Sequence, residues 1–310
     1  MEREARNVLH WKEALLTGCS RAVMKRRIRK SRKALKNSMV HLTMAAMSLG
    51  GGAGLARAQS QPAGTVTAPA HEPSWAERTA HDTRFKDSVD AFVSLDREHS
   101  PEPGGIVFVG SSTIRFWETL AEQFGDLPIV RRGFGGSRMA DVAQYADSLV
   151  TPYKPKMVVV YAGDNDINEG ATPQDVFNSF KQFTESVRRK LPDARIAYVS
   201  IKPSPSRAKF MGEFCETNRL IHDYTQRMPN MDYIDTYSAM LDDTGEPRRD
   251  LFLADMLHMN SKGYALWHQV VAPHLKNIPA TASRDDAPRT VRIKNGPSSS
   301  SDVAALQPRT

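Results

Sequence analysis

Between residues 75 and 278, short apolar runs alternate with stretches of helical periodicity. This order is typical of successive βα units, in which each helix returns the chain to the same end of a parallel sheet. The runs are rich in Val, Ile and Tyr, as strands buried on both faces must be. They lie at residues 106–109, 129–131, 157–161, 195–201 and 233–235. We therefore predict five parallel strands.

The helical stretches predict the layers on either side of that sheet. The clearest begins at Thr172, with Pro173 in its first turn and Asp175 three residues after the cap, a combination that favours a helix start. Others cover residues 84–94, 139–149, 210–227 and 261–276. The predicted fold class is α/β, a three-layer α/β/α domain with a flavodoxin-like five-stranded parallel sheet.

The net charge of +7 would suggest a nucleic-acid partner if the basic residues were spread over the chain. Of 42 basic and 35 acidic residues, 13 basic and 3 acidic ones lie in residues 1–58, which leaves 29 basic against 32 acidic beyond them. The rest of the chain is thus mildly acidic, and we expect no nucleic-acid partner.

The basic N-terminal segment has the order of an export signal. Eight Lys and Arg residues follow Met24, an apolar and Gly-rich stretch covers residues 39–55, and Ala56-Arg57-Ala58 forms an A-x-A cleavage site. We expect cleavage near Ala58 and a periplasmic or secreted protein without integral membrane contact. A membrane anchor is the alternative, although the apolar stretch is short for a span. Both export routes, Sec and twin-arginine, and both starts, Met1 and Met24, stay open.

Composition divides the chain into four parts. We predict an N-terminal extension with a signal peptide over residues 1–58, a linker over 59–74, a folded α/β domain over 75–278 and a disordered tail over 279–310. The linker is rich in Gln, Ser, Pro, Ala, Gly and Thr, and the tail is polar without periodicity.

Ligands of open α/β sheets bind outside the carboxyl ends of the strands, so the residues after each strand are candidates for chemistry. Those positions and the segment before the last helix hold Ser112, Gly136, Asn165, Asp255 and His258. Taken singly, each has a structural explanation as a helix cap, a turn residue or a loop histidine. Together they supply what acyl transfer needs: a nucleophile, a base with its orienting acid, and oxyanion donors.

Four sequence blocks in order resemble the SGNH or GDSL-like serine hydrolases. They are Val107-Phe108-Val109-Gly110-Ser111-Ser112, Arg132-Gly133-Phe134-Gly135-Gly136, Gly163-Asp164-Asn165-Asp166 and Asp255-Met256-Leu257-His258. The stretch from Phe108 to Trp117 looks like the branch of platelet-activating-factor-acetylhydrolase-like bacterial esterases. Ser111 and Arg131 depart from the family pattern, in which Asp and Asn are expected.

The resemblance implies Ser112 as nucleophile, His258 as base and Asp255 as its partner. It implies the Ser112 and Gly136 amides and the Asn165 side chain as oxyanion donors. We therefore expect an exported serine esterase whose substrate is a small acyl ester, first an acetylated carbohydrate and second a lysophospholipid. We expect no cofactor and no metal.

Two other classes of function compete with the esterase. Asp164-x-Asp166-x-Asn168 imitates a calcium loop, but Glu169 stands where that loop needs Gly. The second class is an exported binding protein that has the same fold but no activity. Within the same family, a lysophospholipase or thioesterase is a further alternative. The oligomeric state is not predicted.

Overall fold

The computed structural model describes residues 73–80 and 82–276. The predicted signal peptide, nearly all of the linker and the predicted tail lie outside these residues. Within the described part, no helix combines the length and apolarity that crossing a membrane requires.

A single five-stranded sheet lies at the centre of the described domain, and all its neighbouring strands pair in parallel. The strand order is β2-β1-β3-β4-β5, the order of a flavodoxin-like doubly wound sheet. The strands are β1 (Ile106–Gly110), β2 (Ile129–Gly133), β3 (Met157–Tyr161), β4 (Arg195–Val199) and β5 (Met231–Ile234). The predicted fold class is confirmed.

Alternate residues of each strand face two separate cores. Val107 and Val109 belong to one apolar cluster, and Ile106 and Phe108 belong to the other. All four side chains are fully buried. Because successive strand residues point to opposite faces, helices must cover both sides of the sheet, and the result is three layers.

Eleven α-helices flank this sheet in the described residues. They are α1 (Trp75–Thr79), α2 (Lys86–Glu98), α3 (Ser112–Arg115), α4 (Leu120–Gln123), α5 (Met139–Gln144), α6 (Ala146–Leu149), α7 (Asp164–Asn168), α8 (Pro173–Lys190), α9 (Met211–Thr225), α10 (Thr236–Ala239) and α11 (Ser261–Val271). Short 3₁₀ helices occupy Thr151–Tyr153, Pro205–Phe210, Arg249–Leu251 and Ala272–Leu275.

Several predicted boundaries differ from those of the structure. Strand β4 ends at Val199, not at residue 201, because the backbone N–H and C=O of Ile201 pair with the side chain of Asn218. The predicted helix over 139–149 is two helices that meet at Tyr145. The last helix ends at Val271, just before Pro273, which cannot continue an α-helical hydrogen-bond ladder.

The start of α8 agrees with its sequence signal. Thr172 accepts a hydrogen bond from the Asp175 amide, and the Asp175 carboxylate accepts one from the Thr172 amide at 2.9 Å. This reciprocal pair is a capping box, which satisfies two helix-terminal donors and fixes the direction in which α8 leaves the sheet.

Gly110, the last residue of β1, lets two backbones approach closely. A Cβ atom there would lie 1.9 Å from the carbonyl oxygen of Tyr161, and the residue has φ +148°. The Ser111 amide donates to that same oxygen at 3.1 Å. The segment that follows β1 is therefore held directly against the end of β3.

We predict that Gly110→Ala destabilises the fold by about 1–3 kcal/mol or more, because the added methyl group collides with backbone and the φ value is unfavourable. Gly212→Ala in α9 is the matched control, since nothing lies within 4 Å of its Cβ position. The control should be neutral or more stable by up to about 1 kcal/mol. Urea unfolding of both variants measures the difference, and equal midpoints would contradict the account.

Candidate active site

Ser112 is the first residue of α3, directly after β1, and it is half-buried. Its Oγ lies 3.0 Å from Nε2 of His258. The neighbouring Ser111 is 1% exposed, and its hydroxyl has no hydrogen-bond partner among the described residues. Of the two adjacent serines, the structure brings Ser112 to the histidine.

Asp255 completes a chain of three side chains. Its Oδ2 lies 2.6 Å from Nδ1 of His258, on the opposite side of the ring from Ser112. A carboxylate can only accept a hydrogen bond, so Nδ1 must carry the proton. Nε2 is then free to accept from the Ser112 hydroxyl, which is the orientation that a general base requires.

Several hydrogen bonds keep Asp255 ionised. Partial burial by itself would raise the pKa of this carboxyl, but the Leu257 amide, the His258 ring and the His258 amide bind it and hold the pKa below its ordinary value. The two amides donate to Oδ1 at 2.9 Å and 3.0 Å, which leaves Oδ2 for the imidazole. The negative charge that orients His258 is therefore present at neutral pH.

The loop that carries Asp255 and His258 is fixed at both ends. Asn260 caps α11 through bonds from the Lys262 and Gly263 amides, and its amide nitrogen donates to the carbonyls of Asp250 and Phe252.

Inside the same loop, Met256 has φ +55°, a conformation that side chains other than glycine adopt at a cost. Its carbonyl accepts bonds from the amide and the hydroxyl of Ser206. The contact holds this turn against the Pro205–Phe210 segment.

Among the described residues, neither the Ser112 N–H nor the Gly136 N–H has a hydrogen-bond acceptor. Gly136 has φ +78°, which favours glycine, and it is exposed. Its loop follows β2 directly, and the Phe134 amide donates to the Gly110 carbonyl at 3.0 Å. The glycine loop and the Ser112 turn therefore lie side by side. Since α3 has only one turn, it would stabilise an anion through the Ser112 N–H itself more than through a helix dipole.

Asn165 lies in α7, after β3, and is 9% exposed. Its Nδ2 donates to the Ser137 carbonyl at 2.9 Å, and its Oδ1 accepts from Nη2 of Arg207 at 2.9 Å. An amide nitrogen carries two hydrogens, so one remains after the bond to Ser137. The structure thus places Asn165 against the loop that contains Gly136.

Sequence reasoning missed a buried charged cluster behind Asn165, formed by Asp164, Lys202 and Arg207. The Asp164 Oδ2 lies 3.1 Å from Nζ of Lys202 and 3.2 Å from Nη1 of Arg207. Burial opposes the charge on Asp164, but the two cations outweigh it and lower the pKa of this carboxyl to about 2. Lys202 is 1% exposed. The signal that could have identified it is its place just after β4, at the edge of the sheet where ligands bind.

Asp166 holds the start of α5 against this site. Both of its carboxylate oxygens accept from the Met139 amide, at 3.0 Å and 2.8 Å, and the residue is fully buried. With Asp164 bound to Lys202, the two carboxylates that imitate a calcium loop already have protein partners. Within the described part of the chain, no group of three or more potential metal ligands lies together.

The environment of Asp166 predicts a pH-dependent stability. Burial raises its pKa from 3.8 to about 7, with the Met139 amide opposing and the charges of Asp141 and Asp164 reinforcing the shift. A carboxyl group with a raised folded-state pKa stabilises the fold most at low pH. That contribution is lost as the pH rises from about 4 through 7, by on the order of 1 kcal/mol per pH unit.

Asp166→Asn keeps an oxygen for the Met139 amide but cannot ionise. We predict that wild-type protein loses melting temperature relative to this variant as the pH is raised from 4 to 8. Thermal unfolding of both proteins across that range measures the difference. Parallel curves would show that Asp166 does not titrate there.

The family model for GDSL-like lipases and acylhydrolases matches residues 107–266. This span contains all five predicted site residues. No curated protein matches the sequence.

Solved structures share the fold at low sequence identity. A Streptococcus pneumoniae protein assigned as a platelet activating factor is 19% identical, with a TM-score of 0.55 over 61% of this chain and 92% of its own. A Bacteroides fragilis protein assigned as an acylhydrolase is 20% identical, with a TM-score of 0.53 over 66% and 98%. A GDSL-like lipase from Bacteroides thetaiotaomicron is 16% identical, with a TM-score of 0.53 over 60% and 96%. At such identities, these likenesses show the fold alone.

Proposed function

Because this chain belongs to the GDSL-like lipase/acylhydrolase family, we propose that it is an exported serine esterase that hydrolyses short-chain acyl esters. The observation that carries the proposal is the continuous line of hydrogen bonds from Asp255 through His258 to Ser112, with distances of 2.6 Å and 3.0 Å. A binding protein without activity would have no need of this arrangement.

In the proposed reaction, Ser112 Oγ attacks the ester carbonyl carbon while Nε2 of His258 takes the hydroxyl proton. The carbonyl oxygen becomes negative and receives hydrogen bonds from the Ser112 and Gly136 amides and from Nδ2 of Asn165. The tetrahedral intermediate then breaks its bond to the alcohol oxygen, which receives the proton from His258. Water repeats these steps on the acyl-enzyme and releases the carboxylic acid.

Groups beside His258 would contact the departing alcohol, because the histidine must protonate that oxygen. Phe116 is 41% exposed, and its ring centroid lies 5.0 Å from that of His258. Leu253 is 49% exposed, and its amide donates to the His258 carbonyl. Both offer apolar surface to the alcohol, which suits the C–H face of a sugar ring and also suits a lysophospholipid. An acetylated carbohydrate is the first proposal and a lysophospholipid the second.

A series of p-nitrophenyl esters from acetyl to palmitoyl tests the function and the acyl length. We expect turnover of the acetyl and butyryl esters, falling with longer chains. A preference for palmitoyl would favour the lysophospholipase alternative. No turnover of any ester by folded protein would favour the binding protein.

We predict that Ser112→Ala lowers turnover by roughly 10⁶-fold, as removal of a triad nucleophile does. Ser111→Ala is the matched control and should keep most of the activity, because the Ser111 hydroxyl is buried without a partner in the described residues. An organophosphate label located by peptide mass spectrometry should sit on Ser112. A label on Ser111, or full turnover by Ser112→Ala, would refute the assignment.

The proposed export rests on the basic segment, the apolar stretch and the Ala56-Arg57-Ala58 site of the N-terminal sequence. We predict that the exported protein begins at Gln59 and is mildly acidic, since the basic excess precedes that residue. N-terminal sequencing of the exported form measures this. An intact leader on protein in the membrane fraction would support an anchor instead.

A further inference from the structure

We propose that Arg207 is a positioning residue, which orients and polarises the Asn165 amide so that its free N–H faces the oxyanion. This inference rests on the proposed function and extends it to a residue outside the four sequence blocks. Arg207 lies in the 3₁₀ segment Pro205–Phe210, and only 12% of its side chain is exposed.

The guanidinium holds two adjacent residues of α7 at once. Its Nη2 donates to Oδ1 of Asn165 at 2.9 Å, and its Nη1 lies 3.2 Å from Oδ2 of Asp164. The Nη1 contact with Asp164 is an ion pair without hydrogen-bond geometry. The bond from Nη2 is therefore the directed one, and because a planar guanidinium offers its donors in fixed directions, it determines where the Asn165 oxygen can lie.

The orientation of Asn165 matters because its amide has an acceptor end and a donor end of nearly the same shape. If the amide were flipped, its oxygen would face the developing negative charge and would repel it. Arg207 can only donate and the Ser137 carbonyl can only accept, so the two partners fix opposite ends of the amide. The remaining Nδ2 hydrogen is then held as a donor.

The charge of Arg207 also acts on the strength of that donor. A cation bound to the amide oxygen draws electron density from the nitrogen and makes the remaining N–H a stronger donor. Asp164 neutralises part of the charge, but Lys202 lies 3.1 Å from the same carboxylate oxygen. The three side chains together carry one net positive charge at the back of the site.

A buried ionic cluster does not by itself indicate that these residues stabilise the fold, because apolar side chains can often replace such a cluster without loss of folding stability. Asp164 is 3% exposed and Lys202 is 1% exposed. Their position against an oxyanion donor supports a role in catalysis over a purely structural one.

A double-mutant cycle between Arg207 and Asn165 tests the inference. Asn165→Ala alone should lower kcat by about 10²–10³-fold, the usual value of one oxyanion donor. Arg207→Ala alone should lower kcat by roughly 10- to 100-fold with KM little changed, as loss of a charge-assisted bond does. In the Asn165→Ala background, Arg207→Ala should have little further effect, because its partner is already gone.

Two further variants separate positioning from folding. Arg207→Lys keeps the charge and should restore part of the lost kcat. Lys209→Ala is the matched control, since Lys209 is exposed in the same segment and stacks on Phe210. It should behave as wild type. Circular dichroism and an organophosphate titration of active sites correct each rate for the fraction of folded protein.

The outcomes distinguish the inference from the function on which it rests. Three results would overturn the role of Arg207 in an active esterase. The kcat losses of Arg207→Ala and Asn165→Ala could multiply in the double variant, Arg207→Ala could change KM alone, or Lys209→Ala could lower kcat as much as Arg207→Ala does. If Arg207→Ala does not fold, the same comparison uses Arg207→Lys and Arg207→Gln. A folded wild-type protein that hydrolyses no ester would overturn the proposed function, and the inference with it.

Discussion

The contact between the ends of β1 and β3 determines where Ser112 lies relative to Gly136 and Asn165. Gly110 brings β1 so close to the Tyr161 carbonyl that a methyl group would not fit, and the Ser111 amide bonds to that carbonyl. Ser112 therefore leaves the sheet beside the start of α7, which carries Asn165. The Gly136 loop reaches the same edge because the Phe134 amide bonds to the Gly110 carbonyl. Parallel strands place these chain-distant groups together.

The segment Pro205–Phe210 joins the two sides of the site. Ser206 binds the Met256 carbonyl in the loop that carries His258, and Arg207 binds Asn165 on the side of the proposed oxyanion hole. Met256 has a left-handed conformation there. The charged side chains of Asp164 and Lys202 are buried nearby, and that of Arg207 is half-buried. Strained backbone and buried charge both cost stability, and both are common at functional sites. There, dipoles and charges that are already in place need not reorganise during the reaction.

The sequence predicted the sheet and its five strands, because apolar periodicity follows directly from local pattern. It also predicted which residues follow the strand ends, and the structure brings these residues together, while their catalytic roles stay a prediction. It could not predict features that depend on distant contacts. The end of β4 is set by Asn218, which pairs with Ile201 from 17 residues along the chain. Lysine is usually a surface residue, but Lys202 is buried and forms an ion pair with the buried Asp164. The sequence around Asp166 argued against a calcium loop, but it could not show that the Met139 amide binds this carboxylate instead.

The most direct measurement is a crystal structure of the protein inhibited by a short-chain phosphonate ester, whose phosphoryl oxygen imitates the oxyanion. We predict a bond from phosphorus to Ser112 Oγ. The phosphoryl oxygen should lie about 2.7–3.1 Å from the Ser112 and Gly136 nitrogens and from Asn165 Nδ2. An adduct on another residue, or an oxygen that points away from these three donors, would contradict this prediction.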